Sequence, residues 1–105
     1  MSAIQIGMLA EVPEEGGKAF TVEGHAIAVF RVEGELFAID DTCTHDDASL
    51  SAGELDPDML CVECPHHGAL FSLRTGEART LPAYKPVKTY RVYAEGDALF
   101  VEYST

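Results

Sequence analysis

The chain of 105 residues is 47% hydrophobic, which fits one folded domain but excludes a large catalytic scaffold. Its formal net charge is −11, and residues 1–70 carry 14 acidic but only 2 basic side chains. An acidic surface of this kind repels nucleic acid and anionic membranes and attracts basic protein surfaces. No apolar run approaches the length of a membrane span, and the first residues show no secretory signal. We therefore expect a cytoplasmic protein with no membrane or nucleic-acid partner.

Short strands separated by turn signals dominate the predicted secondary structure. Period-2 patterns and β-branched residues predict strands over residues 18–23, 26–32, 35–40, 59–63, 69–73, 87–94 and 97–103. The acid–glycine pairs Glu33-Gly34 and Glu95-Gly96 predict hairpin turns. Gly24-His25 separates the first two strands, so we predict that His25 is a surface residue in a turn. Residues 11–17 are predicted to form a loop, and no window shows helical periodicity.

The middle of the chain contains all three cysteines and two paired motifs. An odd cysteine count without a secretory signal argues against a disulfide scaffold and favours metal binding or redox chemistry. The motifs each join a thiol to an imidazole: Cys43-Thr44-His45 and Cys64-Pro65-His66-His67-Gly68, with eighteen residues between them. Cys-x-His is unusual spacing for a structural zinc site, which normally begins with two cysteines separated by a few residues.

The pattern C-x-H … C-P-x-H-G resembles that of the Rieske family of [2Fe–2S] proteins. The flanking runs Asp40-Asp41-Thr42 and Ala48-Ser49-Leu50 extend the resemblance, which covers nearly the whole chain. It implies one Rieske-type [2Fe–2S] cluster per chain, with Cys43 and Cys64 on one iron and His45 and His67 on the other.

Charge explains why imidazoles matter in such a centre. Two ferric ions, two sulfides and two thiolates sum to a neutral oxidised site, whereas four thiolates would leave it doubly negative. Adding an electron to the neutral site is therefore easier than adding one to a four-thiolate site. Centres with two imidazole ligands have potentials of roughly −150 to +300 mV.

Residues around the motifs have expected roles by the same resemblance. Gly68 would permit tight backbone beside the cluster, and Pro65 would fix the turn after the second cysteine. Pro82 would belong to a loop that covers the cluster. His66 falls at a variable position and is expected to be a non-ligand, while Cys61 is expected to be a small buried hydrophobe.

A tetrahedral zinc site is the main competing interpretation. It would use the same four residues, or Cys61 in place of one of them, and the chain would then be a zinc-stabilised binding module. The run from Cys61 to Cys64 also has thioredoxin-like Cys-x-x-Cys spacing, but no βαβ pattern accompanies it.

The resemblance implies a soluble ferredoxin of low potential that passes one electron and performs no bond chemistry itself. Hydroxyl donors to sulfur in high-potential relatives fall here at Ala69 and Phe71, which lack hydroxyls. The expected partners are a flavin-dependent reductase and a terminal oxygenase. A nitrite reductase small subunit and an iron–sulfur assembly partner are alternatives. Asp46-Asp47 follow the first motif directly, and their charges are expected to affect the potential or the docking surface.

The implied fold is all-β, with a small antiparallel β-sandwich or barrel in a single Rieske domain over residues 1–105. Residues 1–41 and 84–105 would form the base, and residues 42–83 would form an inserted cluster-binding subdomain. A monomer is expected.

Overall fold

The computed structural model describes residues 2–42, 49–65, 68–80 and 85–103. Its strands are β1 (Ser2–Met8), β2 (Gly16–Val22), β3 (His25–Val32), β4 (Glu35–Asp40), β5 (Glu54–Asp56), β6 (Cys61–Glu63), β7 (Leu70–Ser72), β8 (Thr89–Tyr90), β9 (Val92–Glu95) and β10 (Ala98–Tyr103). Short 3₁₀ turns cover Leu9–Glu11 and Leu50–Ala52. The predicted all-β fold is confirmed. None of the helical segments within the described residues could span a bilayer.

Two antiparallel sheets form the larger part of the molecule. Their strand orders are β2-β3-β4-β8 and β1-β10-β9. Only Arg91 separates β8 from β9, and its carbonyl accepts a hydrogen bond from the Glu102 N–H at 2.9 Å. One buried cluster draws side chains from both sheets, and we call it the base core: Val12, Phe20, Val22, Ile27, Val29, Ala38, Leu99 and Val101. This packing produces the predicted small sandwich.

The central strands β3 and β4 bury both of their faces. Successive strand residues point to opposite faces, so Val29 contributes to the base core while Phe30 faces the other way. On that other side lies a second buried cluster, which we call the platform core: Ala28, Phe30, Val32, Phe37, Ile39, Leu50, Val62, Cys64, Ala69, Phe71, Leu73 and Val87. Burial on both faces explains why residues 26–30 are continuously apolar rather than alternating.

A third antiparallel sheet has the order β5-β6-β7 and packs on the platform core through Val62 and Phe71. Its edge at β7 is extended by residues 77–79, because the Ser72 N–H donates to the Glu77 carbonyl at 2.9 Å. Each fully buried Phe or Val side chain contributes about 1.5–3 kcal/mol of hydrophobic stabilisation. The small third sheet is therefore held to β3 and β4 chiefly by packing.

Several strand predictions need correction. β1 and β5 were not predicted, and the single strand predicted over residues 87–94 is interrupted at Arg91. The hairpin turn before β3 is Glu23-Gly24, with φ of 50° and 82°, so His25 is a strand residue and the prediction of a turn position was wrong. Two positive φ values are the signature of a type I′ turn, whose twist matches the flanking strands.

Candidate metal centre

The predicted ligands lie partly outside the described residues. Cys64 is described and fully buried, whereas Cys43, His45 and His67 are not described, so the set of four remains a prediction. The predictions for Asp46, Asp47, His66 and Pro82 also concern residues outside the described ranges. Within residues 2–42, 49–65, 68–80 and 85–103, no three His, Cys, Asp or Glu side chains are grouped so that they could hold a metal ion.

Cys64 begins a tight turn at the end of β6. Its N–H donates to the Ala69 carbonyl at 2.7 Å, and its carbonyl accepts from the Gly68 N–H at 3.0 Å. Gly68 has a φ of +75°, which costs an L-residue roughly 1–2 kcal/mol. Pro65 lies exposed in the same turn. The first and last residues of the second motif are therefore hydrogen-bonded to each other, which agrees with the tight backbone predicted at Gly68.

The three segments that carry predicted functional residues all border one buried surface. Each is flanked by side chains of the platform core. These flanking residues are Ile39 and Leu50 for the first motif, Cys64 and Ala69 for the second, and Val87 for the segment with Pro82. Because close-packed cores resist displacement, the ends of these segments are fixed relative to one another. The described residues that border the two motifs thus lie on the same side of β3 and β4.

The surroundings of Cys64 fit a soft metal centre. The side chain is fully buried among apolar neighbours, including Ala69 and Phe71, which are also fully buried. Burying an anionic ligand atom among apolar side chains is costly unless a positive charge accompanies it. A bound iron supplies that charge and deprotonates a coordinating thiol. Thiolate and imidazole together are donors suited to iron–sulfur chemistry.

Cys61 has different surroundings although it lies three residues away. It is fully buried, but it is not part of the platform core, which takes Val62 and Cys64 from this strand. Strand alternation points its side chain to the opposite face from Val62. Its Sγ donates to the Met59 carbonyl at 3.5 Å, and burial raises the pKa of the thiol. The prediction of a small buried hydrophobe is confirmed, and these features disfavour Cys61 as a zinc ligand.

A polar cluster beside the base core escaped the sequence analysis. Asp40 Oδ1 accepts from the Tyr90 hydroxyl at 2.6 Å and lies 2.7 Å from His25 Nε2. Tyr90 stacks on Tyr103 with ring centroids 5.8 Å apart. Burial, followed by the bond to Asp40, raises the pKa of Tyr90. His25, predicted as a surface residue, keeps a side chain that is 44% exposed, and its partner Asp40 comes from the adjacent strand.

Comparisons with known proteins agree with this geometry. The family model described as "Rieske [2Fe-2S] domain" matches residues 2–91. The chain is 45% identical over 103 residues to the 3-phenylpropionate/cinnamic acid dioxygenase ferredoxin subunit of Shigella flexneri, covering 97% of this chain and 94% of the relative.

Solved structures with a similar fold include ferredoxins of oxygenase systems. The ferredoxin of carbazole 1,9a-dioxygenase from Nocardioides aromaticivorans IC177 superposes with a TM-score of 0.89 at 31% identity, covering 96% of this chain and 97% of that one. A chain in a complex of reduced oxygenase and oxidised ferredoxin of carbazole 1,9a-dioxygenase superposes with a TM-score of 0.84 at 31% identity, covering 94% and 91%.

Proposed function

The chain belongs to the Rieske [2Fe–2S] family, and we propose that its cluster is held by Cys43 and Cys64 on one iron and by His45 and His67 on the other. The protein is a ferredoxin that carries electrons for an oxygenase system. The observation that carries the ligand proposal is the shared platform core. Both motif segments end on it, and Cys64 is part of it. Residues 42–83 would then act together as the cluster-binding subdomain.

The cluster supplies one reversible electron, and the residues of the chain control its surroundings. The platform core excludes water from the side of Cys64, which is fully buried. The Gly68 turn holds the backbone of the second motif close to that cysteine. Ala69 and Phe71 place no hydroxyl near the sulfur, so the reduced state receives fewer hydrogen bonds than in a site with Ser and Tyr there. A potential near the low end of the Rieske range follows.

We propose that a flavin-dependent reductase supplies the electron and that a terminal oxygenase receives it. The dioxygenase ferredoxin relative and the similar oxygenase–ferredoxin complex support the second partner. In this role the chain itself performs no bond chemistry. Residues 1–70 hold 14 of the 18 acidic side chains, so basic partner surfaces are favoured.

Salt dependence tests the partner proposal. The rate of reduction by a cognate reductase is expected to fall as ionic strength rises, because salt shortens the reach of the acidic surface to about 10 Å at 0.1 M. Asp46→Asn combined with Asp47→Asn should weaken coupling to at least one partner. A rate that is unchanged by salt and by these substitutions would show that the charge does not guide docking.

Iron and sulfide analysis tests the ligand proposal. The purified protein should contain two irons and two acid-labile sulfides per chain, and its reduced form should give the electron paramagnetic resonance signal of a mixed His/Cys cluster. Cys64→Ser and Cys61→Ser form a matched pair, since both residues are fully buried near β6. Only Cys64→Ser should abolish the cluster. Loss of the cluster in Cys61→Ser, or stoichiometric zinc without sulfide, would overturn the assignment.

A further inference from the structure

Two adjacent carboxylates at the end of β4 point to opposite sides of the molecule. Asp40 lies two residues after Ala38, so its side chain points to the same face of the strand. Its carboxylate accepts a hydrogen bond from Tyr90 in the polar cluster beside the base core. Asp41 lies two residues after Ile39 and points to the same side as this platform-core residue. Its side chain is buried, and the residue is only 7% exposed. Burying a carboxylate is costly unless hydrogen bonds compensate, so the partners of Asp41 indicate what it does.

Asp41 connects the two ends of the first motif segment. Its Oδ2 accepts from the Ser49 hydroxyl at 2.6 Å, and its Oδ1 accepts from the Ser51 N–H at 2.9 Å. Its main-chain carbonyl accepts from the Leu50 N–H at 2.6 Å, while its own N–H donates to the Ala26 carbonyl at 3.1 Å. One residue is thus bonded to β3 before the segment and to three consecutive residues after it.

Backbone pairing also connects the residues on either side of residues 43–48. Thr42 and Ser49 form an isolated antiparallel bridge, directly outside residues 43–48. Hydrogen bonds to a charged acceptor are about twice as strong as neutral ones, and two of them converge here on a single carboxylate. The bridge holds the backbone of Ser49, and the carboxylate in addition binds the Ser49 hydroxyl and the Ser51 N–H.

We propose that Asp41 is a positioning residue for the iron–sulfur site: it fixes Ser49, Leu50 and Ser51 to the end of β4, on either side of the range that contains the proposed ligands Cys43 and His45. This inference rests on the proposed ligand set, because Asp41 acts on the cluster only through those two residues. Groups that orient metal ligands commonly change metal affinity by about 10- to 100-fold when they are removed.

The test compares variants of the holoprotein that differ in one contact. Asp41→Ala removes both acceptors, and Asp41→Asn keeps one acceptor oxygen and supplies an amide that can donate to the Ser49 hydroxyl. Ser49→Ala removes a single donor without changing charge. Ser51→Ala is its control, since the Ser51 hydroxyl lies 2.9 Å from that of Ser49 but the carboxylate is bonded to the Ser51 N–H. Asp40→Asn is the control for charge.

Three readouts separate positioning from general stability. These are the rate of cluster loss to an iron chelator, the g values and line width of the reduced cluster, and the far-ultraviolet circular dichroism of the holoprotein. Asp41→Ala should lose its cluster about 10- to 100-fold faster and broaden the resonance signal. Ser49→Ala should lose it about fivefold faster, because one hydrogen bond is removed. Asp41→Asn should restore most of the wild-type rate, and both controls should stay within about twofold.

The outcomes distinguish this inference from the proposed function. A wild-type protein without iron and sulfide would overturn both. If the wild-type protein holds a cluster, and Asp41→Ala and Ser49→Ala lose it at the wild-type rate, only the positioning role of Asp41 is wrong. Equal acceleration in Asp41→Asn and Asp40→Asn would also overturn it, because the effect would then follow charge rather than the contacts. If Asp41→Ala does not fold, Ser49→Ala and Ser51→Ala decide the result.

Discussion

Gly53 is the residue where a single methyl group should damage the cluster site most directly. It follows the 3₁₀ turn Leu50–Ala52 and has φ −79° and ψ 168°, a conformation that any residue adopts. Space is the constraint, because a Cβ at this position would lie 1.8 Å from the Glu63 carbonyl oxygen. Real Cβ atoms essentially never approach a heavy atom closer than 3.0 Å, so the two backbones must separate by at least 1.2 Å.

The cost of Gly53→Ala follows from what would have to move. Glu63 is paired with Glu54 in the third sheet, and the next residue is Cys64. Overpacking of this kind costs about 1–3 kcal/mol, and we expect the upper end because both partners are backbone. Functional sites tolerate displacements of only about 0.5 Å. Gly53→Ala should therefore lower both the denaturant midpoint and the amount of cluster per chain.

Gly96→Ala is the matched control for Gly53→Ala. Gly96 has a φ of +59°, and nothing lies within 4 Å of a Cβ built there. Its cost should be conformational, about 1–2 kcal/mol, with the cluster retained in full. Iron content, visible absorbance per chain and the denaturant midpoint check both variants. Equal cluster content in the two variants would refute the argument that the Gly53–Glu63 approach positions Cys64.

Two further predictions concern the potential and the alkaline stability. Ala69→Ser and Phe71→Tyr should each raise the potential by about 20–60 mV in redox titration, since a new hydroxyl bond to sulfur favours the reduced state and tenfold in equilibrium is about 59 mV. A drop in either variant would contradict this. Because the pKa of Tyr90 is raised in the fold, its contribution to stability is complete below about pH 10 and is lost as the pH rises above that. Tyr90→Phe should cost about 1 kcal/mol at neutral pH and flatten the alkaline fall in denaturant midpoint; an equally steep fall would contradict the assignment.

Local sequence signals predicted the elements that are determined by neighbouring residues. The bounds of β4 were predicted correctly, and Glu33-Gly34 forms its predicted turn, with φ of 49° and 81°. β1 was missed because its partner β10 lies at the opposite end of the chain, although Ile4 and Ile6 alternate as strand residues do. β5 has only three residues, two of them acidic, and is a strand because it pairs with β6. Pairing between distant segments has no local signature.

The residues of the candidate site were likewise predictable only in part. The paired motifs supplied the ligand candidates through their resemblance to the Rieske pattern, and the set of four stays a prediction. The roles of Asp40 and Asp41 depended on which face of β4 each side chain occupies. The face that Asp41 occupies can be assigned once Phe37 and Ile39 are known to face the platform core, because side chains two residues apart in a strand point the same way. The hydroxyl partner Ser49 follows the first motif by only four residues, yet its bond to Asp41 spans eight residues.

Strand β4 shows how the fold separates stability from redox chemistry. One face of the strand packs into the base core. Asp40, the last residue of the strand, lies on that side, and its hydrogen bond from Tyr90 links β4 to β8. The other face packs into the platform core, and Asp41, directly after the strand on that side, bonds to Ser49 and Ser51. Sites supported by rigid elements are held more accurately than sites on free loops. A carrier that gains and loses one electron needs ligands that keep their positions in both states. In the proposed site, β4 would meet that need because it ends at Asp40, three residues before Cys43, while the base holds the strand in place.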